Sequence, residues 1–285
     1  MGAAAMNIVL VYNPRSGTAL PLEALREKCS AHDITIEHAV DITDGFPANL
    51  TPHIAPGAHI AAIGGDGTLS SVAQQLHDTE VIFVPLPGGT LNHFTKDAGI
   101  SQDLDEALAT LAHATPRHVD VGSANGRIFL NNSSLGIYPT SLRTREVLQG
   151  RLGKWPSAVL AVLQALIKFK LYTVTMEGET FRTPFIFIGN NDYHIGNGGQ
   201  RTSLTSGKLC AYAIRSPRRS TLVTLFFYAL FRRLRDADEF IVHSDSSLTI
   251  ATKRSRISVS ADGEVLRLDA PLEYKCLAGK LTILG

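Results

Sequence analysis

Three apolar runs, NIVLVY (7–12), HIAAIG (59–64) and VIFVPL (81–86), have no polar residue in their interiors, and a stretch of helical patterning follows each one. Those stretches are Leu20 to Ser30, Thr68 to Leu76 and Leu104 to His113. A strand without polar alternation needs cover on both faces, and helices crossing over a parallel sheet supply it. Leu69, Val72, Ala73 and Leu76 fall at i, i+3, i+4 and i+7, so a helix starts just after GGDG. Up to about residue 122 the chain therefore reads as βα units.

From Arg127 the period changes to two, in RIFLNNSSLGIY, YTVTMEGETFRTPFIFIG and SLTIATKRSRISVSADGEVLRL. These segments predict antiparallel strands and hairpins, interrupted by helices near 156–169 and 219–235. Charge divides at a similar place. Residues 1–140 hold 6 Lys and Arg against 14 Asp and Glu, a net −8, and the remainder is +9. There is no internal repeat and no low-complexity segment.

Several classes are disfavoured. No stretch of eighteen apolar residues could span a bilayer, and Met1 to Leu10 lacks a basic start and a cleavage region, so it reads as a leader running into the first strand rather than an export signal. Cys29, Cys210 and Cys276 form no CxxC pair and fit a reducing cytoplasm. The ten histidines form no zinc motif, and there is no GxSxG elbow. His93, within the TLNHF turn, is either a residue that approaches the cleft or a solvated loop histidine. Nothing in the pattern calls for a nucleic-acid partner, and a homodimer is compatible with it.

The turn after HIAAIG carries the chemistry. A glycine-rich link from strand to helix exposes backbone N–H groups at the positive end of a helix dipole, and the glycines let phosphate approach. Asp66 between them implies a cation, most simply Mg²⁺ on nucleotide oxygens; the plainer alternative is that Asp66 caps its own helix. YNPRSG at 12–17 and PLPGGTLN at 85–92 end two further strands in the same way. In a parallel sheet all three turns open onto one edge, where such folds bind ligands.

GGDGTL, preceded by NPRSG and followed by PLPGGTLNHFTKDAGI, VDVG, NNSSLGIY and ADGE in that order, resembles the diacylglycerol kinase catalytic family, which includes bacterial lipid kinases and sphingosine kinases. The resemblance implies an α/β fold in two domains. An N-terminal parallel-sheet ATP domain would span 1–122, and a mainly antiparallel β-sandwich lipid domain 123–270, with the tail 271–285 returning to the first. It implies an ATP-dependent transfer of the γ-phosphoryl group to a hydroxyl of diacylglycerol or a sphingoid base, at a transient membrane surface. By the same resemblance Asn13, Pro14, Arg15, Ser16, Gly17, Gly64, Gly65, Asp66, Gly67, Thr68, Leu69, Ser70, Gly89, Thr90 and Asn92 line the ATP site. Asp66 and Asp120 organise Mg²⁺, and Glu264 is the general base towards the lipid hydroxyl. Read alone, the Asp-Gly of DGE is a hairpin turn.

One departure stands out. Where many bacterial members carry acidic residues for a structural Mg²⁺, LTSGKLCAY has Ser206 and Cys210, so that second metal site is not expected. NAD kinase, which shares GGDG, is the rival enzyme, but Asn131-Asn132 is followed by Ser133-Ser134 rather than Glu. A catalytically inactive lipid-binding module is the other alternative, disfavoured by the retention of Asp66, Asp120 and Glu264. Arg143 and Arg145 are candidates for a lipid head group. The stretch from Ser216 to Arg235, with Arg218, Arg219, Arg232, Arg233 and Arg235 around an apolar run, is the candidate membrane-docking helix, with Lys253, Arg254 and Arg256 adding charge nearby.

Overall fold

The computed structural model describes residues 6–16, 19–136, 171–193, 201–215 and 240–285. The predicted helices near 156–169 and 219–235, the docking arginines 218, 219, 232, 233 and 235, and Gly17, Arg143 and Arg145 lie outside these residues.

Four strands form the expected parallel sheet: β1 (Met6–Tyr12), β2 (Ile34–Asp41), β3 (His59–Gly64) and β4 (Ile82–Pro87), in the order β2-β1-β3-β4. Helices cover both of its faces, which explains the unbroken apolar runs. Ile8, Leu10 and Ala61 pack with Leu25 and Cys29 of α1 (Leu22–Ser30) and with Ala107 and Leu108 of α4 (Leu104–Leu111). Val9, Val11, Ile60 and Ala62 pack on the other face against Leu69, Val72, Ala73 and Leu76 of α2 (Asp66–Leu76). Between β4 and α4 lies the short α3 (His93–Asp97), which periodicity does not reveal because it is barely one turn.

The chain then leaves and re-enters this sheet. β5 (Pro116–Ala124) turns into β6 (Arg127–Phe129), and β16 (Leu272–Leu284) comes back from the far end of the sequence. The C-terminal half of β16 runs parallel to β4, with Thr282 opposite Ile82, and antiparallel to β5. Its N-terminal half pairs with β13 (Ser247–Thr252), which continues to β8 (Tyr172–Met176) and β9 (Glu179–Thr183). One ten-stranded sheet thus extends through both halves of the chain, and residue 122 falls inside β5.

A second, six-stranded antiparallel sheet has the order β12-β11-β10-β7-β14-β15. Its strands are β7 (Asn132–Gly136), β10 (Phe185–Asn190), β11 (Leu209–Ile214), β12 (Phe240–Asp245), β14 (Arg256–Ala261) and β15 (Glu264–Asp269). Leu135, Ile186, Ile188, Ala211 and Val259 from this sheet share a core with Met176, Phe181, Leu248, Ile250 and Tyr274 from the other. The predicted strand 127–138 is split at Leu130 and Asn131, because the amides of Leu130, Asn131 and Asn132 bond the Asp262 carboxylate instead of a ladder partner.

Ile283 of β16 is fully buried in the N-terminal core. Ile283→Ala should lower the urea unfolding free energy by about 2–5 kcal/mol. Val265→Ala, at a side chain 60% exposed, should change it by less than about 0.5 kcal/mol. Equal effects would mean that β16 is not a core strand.

Candidate active site

The three turns that follow β1, β3 and β4 meet at one edge of the sheet. Asn13 folds the first: its Oδ1 accepts from the Arg15 amide at 3.0 Å, and its Nδ2 donates to Thr68 Oγ1 at 3.2 Å, tying this turn to α2. Ser16 Oγ donates to the Gly88 carbonyl in the third turn. The second and third turns touch backbone to backbone, with Gly88 N donating to Gly64 O at 3.1 Å. A Cβ on Gly89 would sit 2.4 Å from Gly65 Cα, and one on Gly88 would sit 2.7 Å from Gly64 N. These glycines are therefore required by the packing of one turn on the other, before any ligand is considered.

Asp66 does not cap its own helix. Gly65 occupies that position and has no side chain to cap with, and among the described residues no side chain bonds the free amides at the start of α2. The Asp66 carboxylate reaches across to α3 instead, where Oδ2 accepts from His93 N at 3.1 Å and Oδ1 from Phe94 N at 2.9 Å. Oδ1 also accepts from Asn131 Nδ2 at 3.0 Å. His93 contributes its amide while its side chain is exposed.

Asn131 leads to a buried arginine. Its Oδ1 accepts from Arg201 Nη2 at 2.9 Å, while Arg201 Nη1 donates to the Leu130 carbonyl at 2.6 Å and Nε to Asp97 of α3 at 2.6 Å. The Arg201 side chain is wholly buried and Asp97 nearly so, and the guanidinium lies 5.8 Å from the Phe94 ring centroid. Removing either partner of so buried a pair costs about 3–5 kcal/mol, because a charge is left alone.

The hairpin between β14 and β15 supplies the remaining acids. Asp262 and Gly263 both have positive φ, at 44° and 87°, and form its two-residue turn, as the Asp-Gly dipeptide predicts. Asp262 accepts from the amides of Leu130 at 2.6 Å, Asn131 at 2.9 Å and Asn132 at 3.1 Å. Its carboxyl is raised to about 6 in all: burial is the main cause, opposed by the three amides and aided by the charge of Asp66. Glu264, the next residue but one, is half exposed, and its Oε1 lies 3.5 Å from where a Cβ on Gly67 would stand, at the start of α2. Arg127 Nη2 is 3.6 Å from Glu264 Oε2.

Asp120 has a different set of partners. It is buried on β5, with Oδ2 accepting from Gly207 N at 2.7 Å and Oδ1 from Gly279 N at 2.8 Å. Burial, and then the neighbouring Asp120 carboxylate, push the Cys276 thiol up to about 12. Ser206, in the place expected to lack a metal, spends both its amide and its hydroxyl on Asn191 Oδ1, at 2.7 and 2.6 Å. Leu69 is fully buried beneath the sheet and Ser70 Oγ donates to the Ile128 carbonyl, so both side chains face the core, while Pro14, Arg15 and Thr90 are exposed at the rim. Asn92, at φ 51°, holds the third turn by accepting from Gly89 N at 2.9 Å. Asn131, Arg201, Asp97, Asp262 and Arg127 were not picked out as site residues by sequence. Only the NN pair and the Asp of DGE offered a local signal.

This arrangement places a half-buried carboxylate, an uncapped helix start and a half-exposed glutamate at the C-terminal ends of parallel strands. Residues 7–124 match the diacylglycerol kinase catalytic domain model. Over those residues the chain is similar to that family's kinase catalytic domain. It is 25% identical over 235 residues to a Staphylococcus carnosus protein provisionally named a lipid kinase, a match covering 78% of this chain and 75% of the other. It is 34% identical over 148 residues to a Pseudomonas putida protein named a YegS-like lipid kinase on the same provisional footing, covering 50% of this chain and 48% of that one. In fold it resembles a Bacillus anthracis crystal structure provisionally called a diacylglycerol kinase, with a TM-score of 0.74 and 20% identity over 100% of this chain and 98% of that one.

Asp262 makes stability depend on pH. Its acid form is favoured in the folded chain, so its contribution is fully present below 3.8 and is lost as pH rises through about 6. The urea midpoint of the wild-type chain, measured against that of Asp262→Asn, should therefore fall across this window. A difference between the two that does not vary with pH would contradict the raised carboxyl.

Proposed function

We propose that the protein is a lipid kinase that transfers the γ-phosphoryl group of ATP to a hydroxyl of a diacylglycerol-like or sphingoid lipid. The observation that carries this reading is the meeting of Glu264, from the antiparallel layer, with the uncapped start of α2 at Gly67. Phosphate oxygens received by the α2 amides would lie beside a carboxylate able to take the proton of an attacking hydroxyl.

Asp66 would hold Mg²⁺ brought with the nucleotide, since its Oδ2 accepts a single hydrogen bond and the group is half exposed. Among the described residues no three His, Cys, Asp or Glu side chains converge, so the nucleotide's own oxygens would complete the shell. The ion supplies neutralisation of phosphate charge. Asp120, with both oxygens on backbone amides, serves as a positioning residue that fixes the 204–207 loop against the bulge of β16. The lipid would be met at a membrane surface, since an acylated substrate resides in a bilayer; no helix among the described residues is long and apolar enough to cross one.

Radiolabelled ATP with Mg²⁺, a lipid panel and NAD as acceptors tests the reading. Label should enter a lipid and not NAD, and chelation of the metal should abolish transfer. Glu264→Gln should lower kcat by roughly 10²- to 10⁴-fold while ATP affinity stays within about twofold. Near wild-type turnover for Glu264→Gln would remove the base assignment, and label in NAD alone would replace the lipid reading.

A further inference from the structure

The hairpin that presents Asp262 and Glu264 at its turn carries a second cluster at its open end. In the register of β14 and β15, Arg256 lies opposite Asp269 and Ser258 opposite Arg267. All four side chains stand on the face away from the core, since the intervening Ile257 and Val259 are buried in it. Arg256 Nε bonds Asp269 Oδ1 at 2.7 Å. Arg267 is the diagonal neighbour of Arg256, a separation of about 7–8 Å at which like charges repel.

Arg254 closes the cluster from the turn between β13 and β14. Its carbonyl accepts from Thr252 Oγ1 at 2.9 Å, and its guanidinium lies 6.0 Å from the centroid of the Tyr172 ring. Tyr172, Arg254, Arg256, Ile257, Ser258 and Arg267 line an open cavity of about 340 Å³. No carboxylate lines it. Asp269 offsets one of the three positive charges, and among the described residues neither Arg254 nor Arg267 has a carboxylate within ion-pair distance.

We infer that this cavity is a binding site for a phosphate-type oxyanion, either a soluble phosphate or the headgroup phosphate of an anionic lipid. Two guanidinium forks without carboxylate partners, a third bonded to Asp269, and the Ser258 hydroxyl together present the planar, multidentate donor set that a phosphate accepts. Asp269 offsets one of the three charges, and an anion among the guanidiniums would offset the two that remain. The site is separate from the Asp66 cluster. Arg256 lies six residues from the Asp262 turn, roughly 20 Å along an extended strand, so occupancy here does not require ATP in the cleft.

Arginine Nε–H signals in the full chain, assigned by substitution, read the site directly during titration with inorganic phosphate. Cosedimentation with vesicles of phosphatidylglycerol or of phosphatidylcholine reads the lipid arm. Saturable shifts of the Arg254 and Arg267 signals, with the Arg256 response lost in an Arg254→Gln/Arg267→Gln variant, support the site with a soluble source. Capture by phosphatidylglycerol and not phosphatidylcholine, weakened about tenfold in the double variant but unchanged in Lys28→Gln, whose side chain pairs with Asp105 on another face, supports it with a headgroup source. The side chains are exposed, so the variants should melt with the wild type. Arginine signals unmoved by phosphate, together with equal phosphatidylglycerol capture for wild type and double variant, overturn the inference.

Discussion

The Asp66 carboxylate holds the site together. One oxygen takes an amide of α3 and the side chain of Asn131, the other a second α3 amide, and Asn131 passes the connection to Arg201 and Asp97. The chain of bonds starts at the end of a parallel strand, crosses into the link between β6 and β7, and returns to α3. Because Arg201 is wholly buried, the ring cannot be opened at that point without leaving a charge unpaired in a poor dielectric.

The antiparallel layer reaches the same edge of the parallel sheet by a second route. Asp262 gathers three successive amides from 130–132, which breaks the ladder there and lays the β14–β15 turn against the start of α2. Glu264 is thereby delivered to Gly67 while staying half exposed, with only the 3.6 Å contact to Arg127 on its carboxylate among the described residues. A thrice-bonded acid and a half-exposed one sit side by side on one hairpin, which suits the proton transfer proposed for Glu264.

The parallel sheet was legible because β1, β3 and β4 are buried on both faces and their sequences show no alternation. β2 was not, since ITIEHAVD is an edge strand that buries only Ile34, Ile36 and Val40 and exposes Thr35, Glu37 and His38, so it lacks the unbroken apolar run of its neighbours. β5 escaped notice for a related reason: PRHVDVGSA opens with exposed polar residues and buries Asp120. The turns with Asn13, Asp66 and Asn92 were visible from their glycines, but the reason for those glycines was only partly so. Gly64, Gly65, Gly88 and Gly89 allow two backbones to touch, a fact about pairs of residues distant in sequence. The ion pair of Asp97 with Arg201 joins residues 104 positions apart, and no local pattern announces it.

If the bond from Asn131 places Asp66 and so couples the two layers for the proposed transfer, its loss should be read in turnover before stability. Steady-state kcat of Asn131→Ala, measured beside its unfolding free energy, should fall by about 10²-fold, as expected for an ångström-scale shift of a reacting group, in a chain that remains folded. A folded Asn131→Ala protein with wild-type kcat would contradict it.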